Sequence, residues 1–307
     1  MNTDLEKYFK ENNFRDGLYI YPNPGNAGDA LISIGTTHFF NKLNLDYQIV
    51  MDKKNFDPTG KTVLYSGGGN LVKYYSNSRE FFLSNHKKLK KLIILPHTIS
   101  GNEDILKEFG QNVDIFTREL FSFEHVKKHA PSANVFLSKD MAFYMDVDEV
   151  LGHRPMNFFL IILSKFFYKL KNDVRSENIP SPFVLIKSKI KEAKHKLISH
   201  DKVLNSFRID PEKTEIEIPR DNIDLSEVYK FGTEYPYLIP YAAGKFLRYL
   251  NKYEVIHTNR LHISIGGAML GKKVYLYPNS YFKNQAIYEY SLKNSYPNVH
   301  WIGDKNK

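Results

Sequence analysis

The sequence predicts an α/β protein made of two α/β domains joined by a basic helical segment. Three observations predict it. Short apolar runs alternate with helical stretches from residue 18 to about residue 150. The same alternation returns after residue 203. Between them a segment breaks the rhythm and holds 11 basic residues against 4 acidic ones, most of the net charge of +9. The expected division is 1–150, 151–202 and 203–307. A length of 307 residues agrees, because single cores stop growing near about 250–300 residues.

Each element has its own signal. Leu18–Tyr21 is a short apolar strand running into Pro22–Asp29, a loop by its Pro, Asn and Gly content. A helix is expected from about Asp29 to Leu43. Tyr47–Met51 and Thr62–Tyr65 read as strands, and Ser66–Asn70 as a glycine turn. Lys91–Leu95 is a strand ended by Pro96-His97. Val113–Phe116 is ended by Thr117-Arg118-Glu119, and Asn134–Leu137 by Ser138-Lys139-Asp140. Strands this short and apolar suit a parallel sheet covered on both faces. In the middle segment Asn157–Lys171 is helical by length, Asn178–Pro182 is a breaker, and Val184–Ile198 is a lysine-rich helix. Beyond it, Val203–Ile209, Glu254–Ile256 and Lys273–Tyr277 read as strands. Pro236–Tyr249, Leu261–Leu270 and Ala286–Lys293 read as helices.

Composition narrows the function. With no cysteine, a disulfide scaffold and a thiolate zinc site are both impossible. The 22 Phe and 21 Tyr supply enough apolar area to argue against disorder. Met1–Arg15 lacks the apolar core of a signal peptide. The longest apolar run, Phe158–Leu163, falls far short of the roughly 20 residues that span a bilayer. The expected location is the cytosol. The positive charge sits in one segment rather than in a stripe along a domain, so a nucleic-acid partner is not expected.

Polar residues gather where strands run out, which is where open α/β sheets bind ligands. Asn23–Asp29 holds Gly25, Asn26, Gly28 and Asp29 ahead of a helix, suited to an anion; Asp29 alternatively serves only as a cap. Gly67-Gly68-Gly69-Asn70 implies close backbone approach, or simply a tight turn. It is not a phosphate loop of the Gly-Lys-Ser/Thr kind. His97 at a strand end can donate to phosphate or move a proton, or pack structurally. Arg118 can hold a carboxylate or phosphate, or pair with Glu119. Arg260, Leu261 and His262 open a small-residue helix and make an anion site, unless His262 packs inward. Two arginines, several histidines and glycine loops describe a pocket for a multiply charged anion. No glycosidase acid pair, Gly-x-Ser-x-Gly elbow or His-Glu-x-x-His motif is present.

Asn26-Ala27-Gly28-Asp29, Gly67–Leu71, Leu95-Pro96-His97-Thr98, Thr117-Arg118-Glu119 and Asn259-Arg260-Leu261-His262, in this order, resemble the polysaccharide pyruvyl transferase family. Phe207–Asp210 and Asn279-Ser280-Tyr281 resemble its C-terminal half. The resemblance runs from about residue 17 to 302 and excludes 151–202. It implies two Rossmann-like domains facing a cleft, as in GT-B glycosyltransferases. It also implies phosphoenolpyruvate as donor, a sugar acceptor that is usually lipid-linked, and a pyruvate ketal as product. Family functional residues match at Asp29, His97, Arg118, Arg260 and His262. Asn259 stands where the family often has His.

The chemistry expected from that resemblance has Arg118, Arg260 and His262 binding the donor, with Leu261 at the same helix start. Asp29 deprotonates the acceptor, and His97 shuttles a proton or binds phosphate. No metal and no cofactor is expected. The basic segment, residues 154–200, is a candidate for peripheral contact with an anionic bilayer, against a core-packed helix pair with solvated lysines. Two other readings stand. One is a glycosyltransferase using a nucleotide sugar, with Glu234 or Glu254 reading the nucleoside. The other is an inactive basic binding module.

Overall fold

The structure is a computed structural model. It describes residues 5–303 except 13, 15–16, 24, 76, 153–181, 200–201, 211, 233–235 and 237. The predicted helix Asn157–Lys171 lies outside the described residues. Two compact units emerge, one of residues 1–23 and 35–144, the other of residues 24–34 and 145–307. The helix Ala27–Lys42 is therefore shared between them.

The first unit is built on a seven-stranded parallel sheet. Its strands are β1 (Leu18–Tyr21), β2 (Tyr47–Ile49), β3 (Thr62–Tyr65), β4 (Gly68–Leu71), β5 (Lys91–Ile99), β6 (Val113–Thr117) and β7 (Asn134–Leu137). The order is β2-β1-β3-β5-β6-β7, with β4 added beside β5. Thr62 of β3 stands level with Leu18 of β1 and Lys91 of β5. Every residue of β3 and β6 is buried. That is why these strands do not alternate apolar with polar; Asp114 is the one charge buried in them. One core cluster lies under the sheet, made of Val63, Leu92, Ile94 and Ile115 with helix residues Phe82, Ile105, Leu106 and Val126.

Two expectations need correction here. Pro96 does not end β5, which continues to Ile99. Proline removes a ladder donor, and the register between β5 and β6 shifts between Ile94 and His97 to accommodate it. The stretch Gly67–Asn70 is not a glycine turn. Gly68–Leu71 is strand β4, lying along the extra length of β5 with Gly68 opposite His97 and Leu71 opposite Ile99. Gly68 has φ +151°, a backbone that side chains disfavour.

The second unit carries a four-stranded parallel sheet in the order β11-β10-β9-β8. These are β8 (Val203–Ser206), β9 (Val255–Thr258), β10 (Lys273–Leu276) and β11 (Val299–Trp301). The helix Ile239–Leu250 starts with proline in its first turn, where the lost N–H has no intrahelical partner anyway. It packs on the helix Leu261–Met269. There Leu31, Leu247 and Leu250 crowd Gly266, leaving little room for a larger residue. The predicted helix Ala286–Lys293 is instead a helix Lys283–Ile287 followed by a π-turn Tyr288–Leu292. The helix Pro182–Ile198 buries Leu185, Ser188 and His195, and Tyr249 Oη lies 2.7 Å from His195 Nδ1. No helix among the described residues is long and apolar enough to cross a membrane.

Candidate functional site

All strands of each sheet are parallel, so their carboxyl ends share one edge. In the first unit that edge holds a directional relay. His97, with no exposed surface, points Nε2 at Asn70 Oδ1, 2.8 Å away. The Asn70 amide nitrogen donates to Asn23 Oδ1, and Asn23 Nδ2 reaches Gly67 O at 3.4 Å. Burial, then the Arg118 charge, push the His97 imidazole down to about 3. It is a neutral ring at physiological pH. Such a ring holds Asn70 by a hydrogen bond without carrying charge.

Arg118 is 2% exposed. Its Nε donates to Thr98 Oγ1 at 2.9 Å and its guanidinium to Asp140 Oδ2 at 2.6 Å. Asp140 in turn accepts from the Ala142 N–H at 2.8 Å. Glu119 is not the partner of Arg118. It caps the helix Leu120–His129, accepting from Ser122 N at 2.8 Å. Sequence reasoning missed Asp140 as the partner of Arg118, because it is visible there only as the end of the β7 run.

In the second unit two helix starts meet. Asn26 caps the helix Ala27–Lys42, its Oδ1 accepting from Gly28 N at 2.8 Å. Asp29 reaches back to the Asn26 N–H at 2.8 Å. The pair forms a reciprocal capping box, so Asp29 has a structural task whatever else it does. A Cβ on Gly25 would fall inside the Asp29 carboxylate, and one on Gly28 would lie 2.6 Å from His262 Nδ1. These two glycines therefore exist for close approach. His262 lies in the first turn of the helix Leu261–Met269, whose N-terminus has no side-chain cap. Its first N–H groups, beside an imidazole, are suited to an anion.

Arg260 precedes that helix but is not an open cation. It is 4% exposed. Its Nε donates to Asp224 Oδ1 at 2.9 Å, a second nitrogen bonds Asp224 Oδ2, and a third sits 2.7 Å from Asp210 Oδ2. Asp210 also takes two bonds from Arg208 at 2.9 Å. Arg208 continues to Glu212 at 2.6 Å, which holds Lys283 at 2.5 Å. The result is an alternating ladder Lys283–Glu212–Arg208–Asp210–Arg260–Asp224. Burial alone would raise the Asp210 carboxyl; Arg208 and Arg260 outweigh it and hold the group below its ordinary value. Asn259 braces the ladder, with Oδ1 accepting from Arg208 N at 2.8 Å and its carbonyl accepting from Asn284 Nδ2 at 2.8 Å. Asp224, Glu212, Lys283 and Asn284 escaped sequence reading, because only the fold brings them to Arg260.

Two parallel sheets, each with polar groups at its carboxyl edge, define a Rossmann-like α/β protein. The particular family follows from comparison with known proteins. The chain belongs to the polysaccharide pyruvyl transferase family, whose model matches residues 26–281. A Bacillus subtilis (strain 168) protein named "Putative pyruvyl transferase EpsO" is 25% identical over 303 residues, covering 94% of this chain and 88% of the relative. The crystal structure of an uncharacterized protein from Klebsiella pneumoniae subsp. pneumoniae NTUH-K2044 is similar with a TM-score of 0.73. It is 29% identical, over 97% of both chains. This chain is accordingly a transferase of polysaccharide biosynthesis.

Proposed function

We propose that the protein moves the enolpyruvyl group of phosphoenolpyruvate onto two hydroxyls of a sugar, forming a pyruvate ketal and releasing phosphate. Beside the family membership, one observation carries the donor reading. The uncapped helix start at Leu261, the His262 imidazole and the Arg260 ladder converge within a single unit. Phosphoenolpyruvate carries about three negative charges near neutral pH, and N–H donors at a helix start answer that charge. His262 hydrogen-bonds the phosphate. Arg260, fixed by Asp224 and Asp210, holds the helix start in place and biases its field.

The reaction balances without a redox partner. A proton from solvent reaches the methylene carbon and leaves an oxocarbenium-like centre at C2; the proton that Asp29 later takes up returns to solvent, which closes the balance. A sugar hydroxyl attacks C2 and gives its proton to Asp29, through the oxygen not used for the cap. The C2–O bond to phosphate breaks, the second hydroxyl closes the ring, and its proton leaves with the phosphate. This reading includes a two-lobed, GT-B-like frame and a lipid-linked acceptor.

One surface supports the lipid-linked part. The helix Pro182–Ile198 turns Ile186, Ile190 and Leu197 outward, at 45%, 50% and 86% exposure, between Lys187, Lys189, Lys191, Lys194 and Lys196. Apolar residues flanked by lysines suit an anionic bilayer surface.

Thermal unfolding with and without ligand tests the donor. Phosphoenolpyruvate at 100 times its Kd adds about 2.7 kcal/mol of stability, and His262→Ala removes the shift. Acceptor-dependent phosphate release then tests turnover. A shift with a nucleotide sugar, and none with phosphoenolpyruvate, overturns the reading.

A further inference from the structure

Three side chains of the first unit converge apart from the His97 and Arg118 groups. Glu103 opens the helix Glu103–Glu108, and His125 and His129 lie on the helix Leu120–His129. A spacing of four puts both imidazoles on one helix face. Their ring centroids are 4.9 Å apart, tilted by 45°. His125 Nε2 is 3.9 Å from Glu103 Oε1. One ligand atom from each of the three residues lies within 4.8 Å of the other two. Ile105 and Leu106 of the first helix and Val126 of the second share one core cluster, so firm elements hold this convergence.

We propose that Glu103, His125 and His129 bind a divalent ion of the zinc type. Two imidazoles and one carboxylate are the donors such borderline ions take, whereas calcium and magnesium prefer oxygen alone. Tetrahedral bonds of about 2.0–2.1 Å place ligand atoms roughly 3.3 Å apart. The three groups must close by on the order of 1 Å, and Glu103, its side chain 46% exposed, can turn to do it. Gly101 supplies a further oxygen. Gly101 and Asn102 both take left-handed backbones, φ +65° and +61°, and the Gly101 carbonyl lies 2.9 Å from His125 Nε2. A metal at Nε2 replaces the proton now shared with that carbonyl and releases it to solvent. The site does not depend on the pyruvyl reading.

The test is calorimetric titration of the full chain, stripped with chelator, with Zn²⁺ and with Co²⁺. The expected result is one ion per chain and the visible bands of four-coordinate Co²⁺. His125→Ala, His129→Ala and Glu103→Gln should each weaken binding by at least about tenfold, the least that loss of even a supporting group costs at metal sites. Thermal unfolding in chelator shows that each variant is folded. The shift given by phosphoenolpyruvate should be the same in all of them, which separates this site from the donor site. No saturable uptake by the unaltered chain, or uptake unchanged in all three variants, overturns the proposal.

Discussion

At the residue scale, burial decides which cations remain open to a ligand. His97 has no exposed surface, and its imidazole is pushed down to about 3. An unfolded histidine titrates near 6.5, so the folded state binds fewer protons between about 3 and 6.5. The stabilising effect is complete above pH 6.5 and is lost as pH falls through that window. The expected outcome is that His97→Gln flattens the acid limb of a melting-temperature curve below pH 6.5; an unchanged limb would show that other groups set it. Arg118 makes a second case. Asp140→Asn leaves a buried guanidinium short of its partner and should cost about 3–5 kcal/mol by urea unfolding. The double variant Arg118→Met, Asp140→Leu should recover most of it. Arg118 and Arg260 were legible in the sequence because each follows an apolar run. Their carboxylates were not, lying 22 and 36 residues away at the ends of other segments.

At the element scale, the capping box shows how one motif carries two meanings. Asn26-Ala27-Gly28-Asp29 reads in sequence as an anion loop or a cap, and its geometry is a cap. Asp29→Ala should cost about 1 kcal/mol of stability, the usual worth of a lost helix cap. If Asp29 is also the base, turnover falls by orders of magnitude beyond that; turnover that merely tracks stability leaves the residue as a cap. The strands show where pattern suffices. β1, β3 and β7 match their predicted limits, because apolar runs bounded by polar loops leave little choice. β4 did not show, since glycines carry no periodicity and the partner that makes them a strand is β5, where Gly68 pairs with His97. The helix Pro182–Ile198 yields a third test. Liposomes containing anionic lipid should sediment the protein at low salt and release it at high salt, and Ile190→Glu with Leu197→Glu should abolish that sedimentation. Failure to sediment at any salt returns this face to solvent.

At the scale of the whole molecule, the two sheets belong to different compact units, and the helix Ala27–Lys42 has residues in both. Family membership was legible because its motifs sit at strand ends spread along most of the chain, while the ion ladder was hidden in tertiary pairing. Phosphoenolpyruvate should raise the melting temperature of the intact chain, and His262→Ala should abolish the rise. The shared helix has a further consequence, set by the direction of synthesis. Residues 24–34 leave the ribosome long before residues 145–307, yet they belong to the same compact unit. Gly28 and Leu31 wait for His262 and Gly266. At roughly 5–20 residues per second, that delay is on the order of ten seconds to a minute. For that interval a nascent helix end stands uncovered, a stage at which a chaperone that holds apolar segments has time to act.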